Sequence, residues 1–420
     1  MNQINPADTA WILTATGLVL LMTPGLALFY GGMVRSKNVL STFMHSFFAM
    51  GLMTIQWIGV GYSLAFAPDI GGGLLGGFDY ALLDGVGLTP GPIATTIPHL
   101  SFMTFQMMFA IITPALISGA FAERLKFSTY CVFIVLWGTL VYDPICHWVW
   151  GPEGWLAQRG ILDFAGGTVV HLSAGASALV FSIVLGRRLH PTPPHNLPLT
   201  LLGAGLLWFG WFGFNAGSAL AANERAVLAL VNTHVAAAAA AVAWASVEWI
   251  RQRKPTALGV ASGLVAGLVA ITPAAGFVSP LGALAIGALA APICFLAVVL
   301  KARLGYDDSL DAFGIHGVGG ALGAVLTGVF ASAAWNSPSN PENGVRGLLE
   351  GNSAVAVEQA SGVMLCAAYA AIVTWVILKI LDAVMGLRVA EEAEREGLDV
   401  SLHGEEAYHA GQATAFTGAD

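Results

Sequence analysis

Long apolar runs, joined by connections that carry positive charge only on every second crossing, constrain this chain more than any other feature. A helix needs about 20 apolar residues to cross a hydrocarbon core of about 30 Å. The sequence holds eleven such runs, at approximately 9–34, 39–66, 99–122, 127–147, 162–186, 197–221, 226–250, 256–276, 279–302, 311–333 and 354–384. Of its 17 Lys and Arg residues, only Arg159, Arg225 and Arg346 fall in even-numbered connections. All the others follow odd-numbered runs or lie at the end of the last, among them Arg35, Lys37, Arg124, Lys126, Arg187 and Arg188. The positive-inside rule then sets the N-terminus outside and the C-terminus in the cytoplasm of the cell (inner) membrane. A miscounted helix would scramble that alternation, so the expected fold is an all-α, multi-pass protein of eleven spans.

Composition closes off the other classes. Only 10% of residues are charged, against roughly 25% in a soluble domain. Hydrophobic residues make up 56% and mean hydropathy is +0.73, which excludes disorder as well. A net charge of −8 without a basic stripe argues against a nucleic-acid partner. Cys131, Cys146, Cys294 and Cys366 lie in or beside apolar runs without CxxC spacing, and read as small core residues. No metal-binding triad, nucleophile elbow or phosphate loop occurs, so no catalytic residue, metal or cofactor is expected. The first run lacks a preceding basic segment and reads as a retained span.

Eleven divides as five plus five plus one. An odd-numbered repeat unit forces its second copy to be inverted, an arrangement common in secondary transporters. The expected organisation is a transmembrane domain over 9–385, with halves at about 9–186 and 197–333 and a further helix at 354–384. An acidic cytoplasmic tail, 386–420, follows. Phe29-Tyr30-Gly31-Gly32 in the first run echoes Phe214-Asn215-Ala216-Gly217 in the sixth. Gly and Ala throughout imply close helix packing.

Ionisable groups within a span are expensive and mark function. Here they concentrate on two helices. Asp163 opens the fifth run eight residues before His171, and Asp311 opens the tenth five residues before His316. A carboxylate at a helix start also suits the macrodipole, so a capping role is compatible with a functional one. A lone buried His is more often a packing residue. Two on pseudo-equivalent helices, flanked by glycines, read as the lining of a shared path. His45, His99, His147 and His234 lack such partners and read as structural.

Aromatic residues form a second group: Phe102, Phe105 and Phe109 in the third run, Trp208 to Phe214 in the sixth, and Trp148 and Trp150 before the fifth. Trp near an interface commonly forms a membrane belt. Aromatic faces beside a carboxylate also build cation sites. Composition alone does not choose between these.

The motifs resemble those of the ammonium transporter family, Amt branch. Pro24 to Gly32, Asp163 to His171, Trp211 to Ser218 and Asp307 to Val318 are similar to its signatures, as is the tail from Leu387 to Tyr408. The resemblance covers about residues 10 to 408. It implies that Phe109 and Phe214 stack across a pore mouth, and that Phe105, Phe109, Trp150 and Ser218 form an outer ammonium recruitment site. Asp163 would stabilise that site, His171 and His316 would line the pore, and Tyr30 and Trp211 would contribute to its walls. It also implies a homotrimer in membrane lipid, with a pore in each subunit and a PII-type signalling protein as cytoplasmic partner. On composition alone the tail reads as a solubilising segment; the resemblance implies docking across subunits instead. The chemistry fits: ammonium differs from potassium in its directional N–H donors and removable proton, and an apolar bore penalises the intact cation. A sensor of the same fold is the rival reading.

Overall fold

The computed structural model describes residues 4–408. No strand occurs among them; isolated bridges pin loops to one another. Ten helices are long and apolar enough to cross a membrane: α1 (Pro6–Met33), α2 (Ser36–Phe66), α3 (His99–Phe121), α4 (Phe127–Gln158), α5 (Gly167–Leu185), α6 (Leu197–Gly217), α7 (Glu224–Gln252), α9 (Pro280–Leu304), α10 (Phe313–Phe330) and α11 (Ser353–Met385). Between α7 and α9 lies α8, Ala257–Ile271, apolar but only 15 residues long. The run expected at 256–276 stops early because the chain turns from Thr272 to Phe277. The protein is a multi-pass, all-helical membrane protein.

Local chemistry sets the helix ends. Asn5 caps α1 through the amides of Ala7 and Asp8, with Pro6 as first helical residue, and Ser279 caps α9 just before Pro280. At the other end of α9, Gly305 takes φ +86°, a left-handed stop open to glycine. Burial then ranks the helices. The apolar window of α3 is 83% enclosed by protein and that of α11 only 28%, so α3 is central and α11 peripheral. α1 and α6 cross with backbones nearly touching: a methyl on Gly203 would come within 2.3 Å of Phe29 N. Such closeness is what small residues permit where lipid offers no hydrophobic drive.

One end of the bundle carries most of the basic residues and is laced by ion pairs. Glu123, buried, accepts from Arg35 Nε (3.2 Å), Asn38 Nδ2 (2.8 Å) and Arg188 Nη1 (3.0 Å). Arg188 also grips Asp307 through Nε and Nη2, both at 2.9 Å. Burial pushes the Asp307 carboxyl upward, but the hydrogen bonds and charge of Arg188 outweigh it and hold the group down at about 2.

The tail lies on this basic face. Lys126 N donates to Leu387 O and Val389 N to Arg124 O. A short helix, α12 (Glu391–Glu396), carries Glu394, whose carboxylate accepts from Arg388 and from Leu189 N. Asp399 accepts from Ser41 N, and Leu398 is fully buried. Composition suggested a solvated tail; from 387 to about 403 these contacts make it part of the packed body. Residues 409–420 of the tail fall outside the described residues.

Candidate functional site

The fifth and tenth spans begin differently from the sequence expectation. Asp163 lies in a loop, four residues before α5 starts at Gly167. The chain turns through Gly166 at φ +112° and brings four amides onto that one carboxylate. Oδ1 accepts from Gly166 N (2.8 Å) and Gly167 N (2.7 Å), and Oδ2 from Thr168 N (2.8 Å) and Val169 N (3.1 Å). In α10 the matching group is Asp308, not Asp311. Its two oxygens accept from Ala312 N (3.0 Å) and Phe313 N (2.8 Å), and it stands eight residues before His316, as Asp163 does before His171. Asp311 instead pairs with Lys301. Burial, helped by the charge of Asp311, pushes Asp308 up to about 6.

Both histidines sit in wide turns of i→i+5 type, Gly167–Leu172 and Phe313–Gly317. Such turns swing side chains out of the regular helical register and recur at functional sites. The two segments touch through glycine. A methyl on Gly175 would lie 2.1 Å from Gly317 N, and one on Gly320 would lie 2.7 Å from Gly167 O and 2.9 Å from Leu172 N. The contact is reciprocal: each glycine stands four residues past its own histidine and meets the turn that holds the other. His171 and His316 thereby meet at 3.3 Å between their Nδ1 atoms, with ring planes 23° apart. One ring donates at Nδ1 and the other accepts. His171 Nε2 is buried with no partner.

A stack of rings rises from this pair. Trp211 and Phe214 lie nearly parallel to His171, at 5.3 and 5.9 Å. Phe214 is 4.3 Å from Phe109, which in turn meets Phe105 at 5.0 Å and Trp150 at 5.9 Å. Trp150 Nε1 donates to Asp163 O (2.8 Å), so the capped loop also holds the indole. Trp211 Nε1 donates to Thr272 Oγ1 (2.9 Å). Ser218 Oγ donates to Phe214 O (2.8 Å), which brings Ser218 to the same end of α6. Phe102 belongs elsewhere, packed on Tyr62 and Phe66.

Two small cavities flank the pair. One of about 10 Å³ is lined by Met22, Leu26, Phe29, Ile112, Leu116, Leu207, Val265, both histidines, Trp211 and Phe214. That is about the room one water-sized molecule needs. The second, about 30 Å³, lies toward the basic face and is walled by Tyr30, Ser262, Asp311, Ile315 and His316. With Phe29, Val265 and His316 common to both, they form a line of narrow, mostly apolar spaces.

A profile of the Ammonium Transporter Family matches residues 10–408, which include every residue of this line. The chain belongs to the ammonium transporter family. It is 52% identical over 404 residues to an ammonium transporter of Bacillus subtilis, covering 96% of this chain and 98% of that one. Its fold is similar to the crystal structure of Saccharomyces cerevisiae Mep2, with a TM-score of 0.89 and 38% identity over 98% of this chain and 93% of that one. A structure named Sensor Amt Protein is also similar: TM-score 0.85, 30% identity, 94% of this chain and 98% of that one.

Within this member of the ammonium transporter family, Tyr30, Phe105, Phe109, Trp150, Asp163, His171, Trp211, Phe214, Ser218 and His316 adjoin the ring stack, its carboxylate or the two cavities, whereas Phe102 and Trp208 of the wider aromatic group do not. The apolar lining, from Met22 to Val265, was invisible as such, because a residue facing a narrow bore looks like one facing a core. The histidines read as structural lie off this line. His99 meets the Tyr62 hydroxyl, His147 meets Ala65 O (3.0 Å) and Asp69, and His234 stacks on Trp208.

Proposed function

We propose that this protein is an ammonium transporter that recruits ammonium at the outer aromatic site, removes a proton and conducts ammonia past His171 and His316. The observation that carries this reading is the unpartnered Nε2 of His171 beside a cavity with room for one small molecule. A neutral imidazole pair offers one donor and one acceptor to ammonia, whereas a bare cation would lose its hydration there. Faces of Phe105, Phe109 and Trp150, with the Ser218 hydroxyl, suit ammonium through cation–π attraction of about 0.5–2 kcal/mol and hydrogen bonding. Asp163 steadies that site through its amides and charge, without contact to the ion. Phe109 and Phe214 close the mouth, and Tyr30 and Trp211 belong to the walls. The proton removed from ammonium crosses as well, so transport carries net charge.

In this reading the basic face is cytoplasmic, α8 completes eleven spans, and the five-plus-five halves are inverted. The reciprocal glycine contacts and the equal Asp-to-His spacing support that inversion. The protein acts as a homotrimer, and its docked tail couples the pore to a PII-type protein. The rival is a sensor of ammonium, which the likeness to the structure named Sensor Amt Protein keeps in view. Currents in reconstituted vesicles decide between the two: ammonium pulses evoke current in a transporter, and silence would favour the sensor. Parallel ammonium and potassium flux for His171→Ala, His316→Ala and His171→Asp tests the pair. Each Ala variant strands its mate, a cost of about 1–3 kcal/mol that entering water relieves, so potassium exclusion should weaken. Loss of flux with selectivity intact in every variant would make the pair a mere conduit.

A further inference from the structure

We propose that a trough on the outer side of α5, α10 and α11 binds an anionic phospholipid, seated directly behind the two histidine-bearing turns. A groove of about 710 Å³ runs between these helices, lined by apolar residues that include Leu172, Leu179, Phe313, Val325 and Met364. Leu179 and Phe313 also line an adjoining recess of about 600 Å³ that ends at Ser182, Arg187 and Tyr306. The two recesses adjoin at Leu179 and Phe313, the trough apolar along its length and the recess polar at the basic face. From Phe313 to Val325, α10 rises about 18 Å at 1.5 Å per residue. That is close to one leaflet's share of a core about 30 Å thick. An acyl chain of the basic-face leaflet therefore fits with its headgroup at the recess.

Charge selects the headgroup. The carboxylates around the mouth are engaged: Asp307 with Arg188, Asp311 with Lys301 and Glu394 with Arg388. Arg187 is exposed and gives its Nε hydrogen to Gly305 O (3.0 Å), and it has no carboxylate partner among the described residues. A guanidinium fork left open at the membrane surface matches a phosphate. A zwitterionic lipid would place its own ammonium beside that fork, and an anionic one would not. The occupant touches Leu172, next to His171, and Phe313, where the turn holding His316 begins. It thus braces both turns from behind, whatever passes between them.

The test uses the full chain in phosphatidylcholine vesicles, without ammonium, so its result is independent of the transport reading. Trace phosphatidylglycerol carrying a photoreactive group at its acyl end is compared with the same probe built on phosphatidylcholine. The phosphatidylglycerol probe should crosslink within 172–180, 313–325 and 363–371, and unlabelled phosphatidylglycerol, but not inorganic phosphate, should displace it. Arg187→Gln should lower that yield about five-fold, the share of one basic residue at a membrane surface. Ala367→Phe should fill the trough and remove labelling by both probes. Equal labelling by both lipids, unchanged in Arg187→Gln, would reduce the site to ordinary surrounding lipid and overturn the proposal. Displacement by phosphate alone, or crosslinks from these segments to a second copy of the chain, would overturn it as well.

Discussion

Removing the two capping carboxylates one at a time should expose how unequally they are used. Asp163 accepts four amide hydrogens and Asp308 two, and both side chains are nearly enclosed, at 7% and 1% exposure. A helix cap truncated to Ala costs about 0.5–2 kcal/mol where water can take over. Water reaches neither site freely, so a figure of about 1 kcal/mol per stranded N–H is appropriate. Asp163→Ala should then cost about 4 kcal/mol and Asp308→Ala about 2 kcal/mol. Asp163→Asn keeps one acceptor oxygen but turns an NH₂ toward two amide hydrogens, so it should recover no more than half the loss. Denaturant unfolding of the purified protein in detergent measures all three. Uptake at low ammonium supplies the second readout, because the loop that Asp163 holds also positions the Trp150 indole. Equal penalties at the two positions would refute the bond-by-bond reasoning. Full uptake in Asp163→Ala would make the residue a plain cap.

Three further perturbations follow from the geometry. Gly175→Ala drives a methyl against the main chain of Gly317, where no rotamer can yield, and should cost about 1–3 kcal/mol in the same denaturant unfolding and impair transport; Gly51→Ala, with open space around it, should be neutral or stabilising in that assay. Glu394→Ala removes the anchor shared by Arg388 and Leu189 N, so limited proteolysis should begin cutting beyond residue 386 while transport falls; an unchanged digestion pattern would count against docking through that residue. Because Asp307 is held at about 2, below its ordinary 3.8, its contribution is complete above pH 3.8 and fades as pH falls toward 2. The difference in unfolding temperature between the protein and Asp307→Asn should shrink across that interval.

Much of this was legible in the chain. Apolar length and the placement of basic residues located nine of the ten long helices to within five residues at each end, since both report directly on contact with lipid and with the membrane surface; α4 runs on to Gln158, past the expected 147. α8 was overestimated because Thr272 to Phe277 is apolar enough to prolong a run, while its turn depends on packing against Phe164 and Ser332. The His pair was readable because ionisable groups are rare inside the spans; its aromatic roof was legible only through the family motifs, because 10% of the chain is aromatic. Asp308 was not. Three aspartates crowd 307–311, each a plausible helix start, and only the folded loop tells which one faces the amides. The wide turns beneath both histidines left no mark, because i→i+5 bonding has no side-chain pattern of its own. The tail misled for a related reason: acidic residues look alike whether solvated or, like Glu394 and Asp399, buried against partners more than 200 residues away.

The glycine crossing behind the histidines has a mechanical meaning. Where Gly175 meets Gly317 and Gly320 meets Gly167, main chain rests on main chain, with no side chain between to compress or rotate. The separation of the two histidine-bearing turns is therefore fixed, and it cannot relax by a change of rotamer. The side chains from Met22 to Val265 that line the cavity can still turn, but the backbones that carry His171 and His316 cannot draw closer. The spacing of the two histidines should accordingly respond only weakly to the fluidity of the surrounding bilayer.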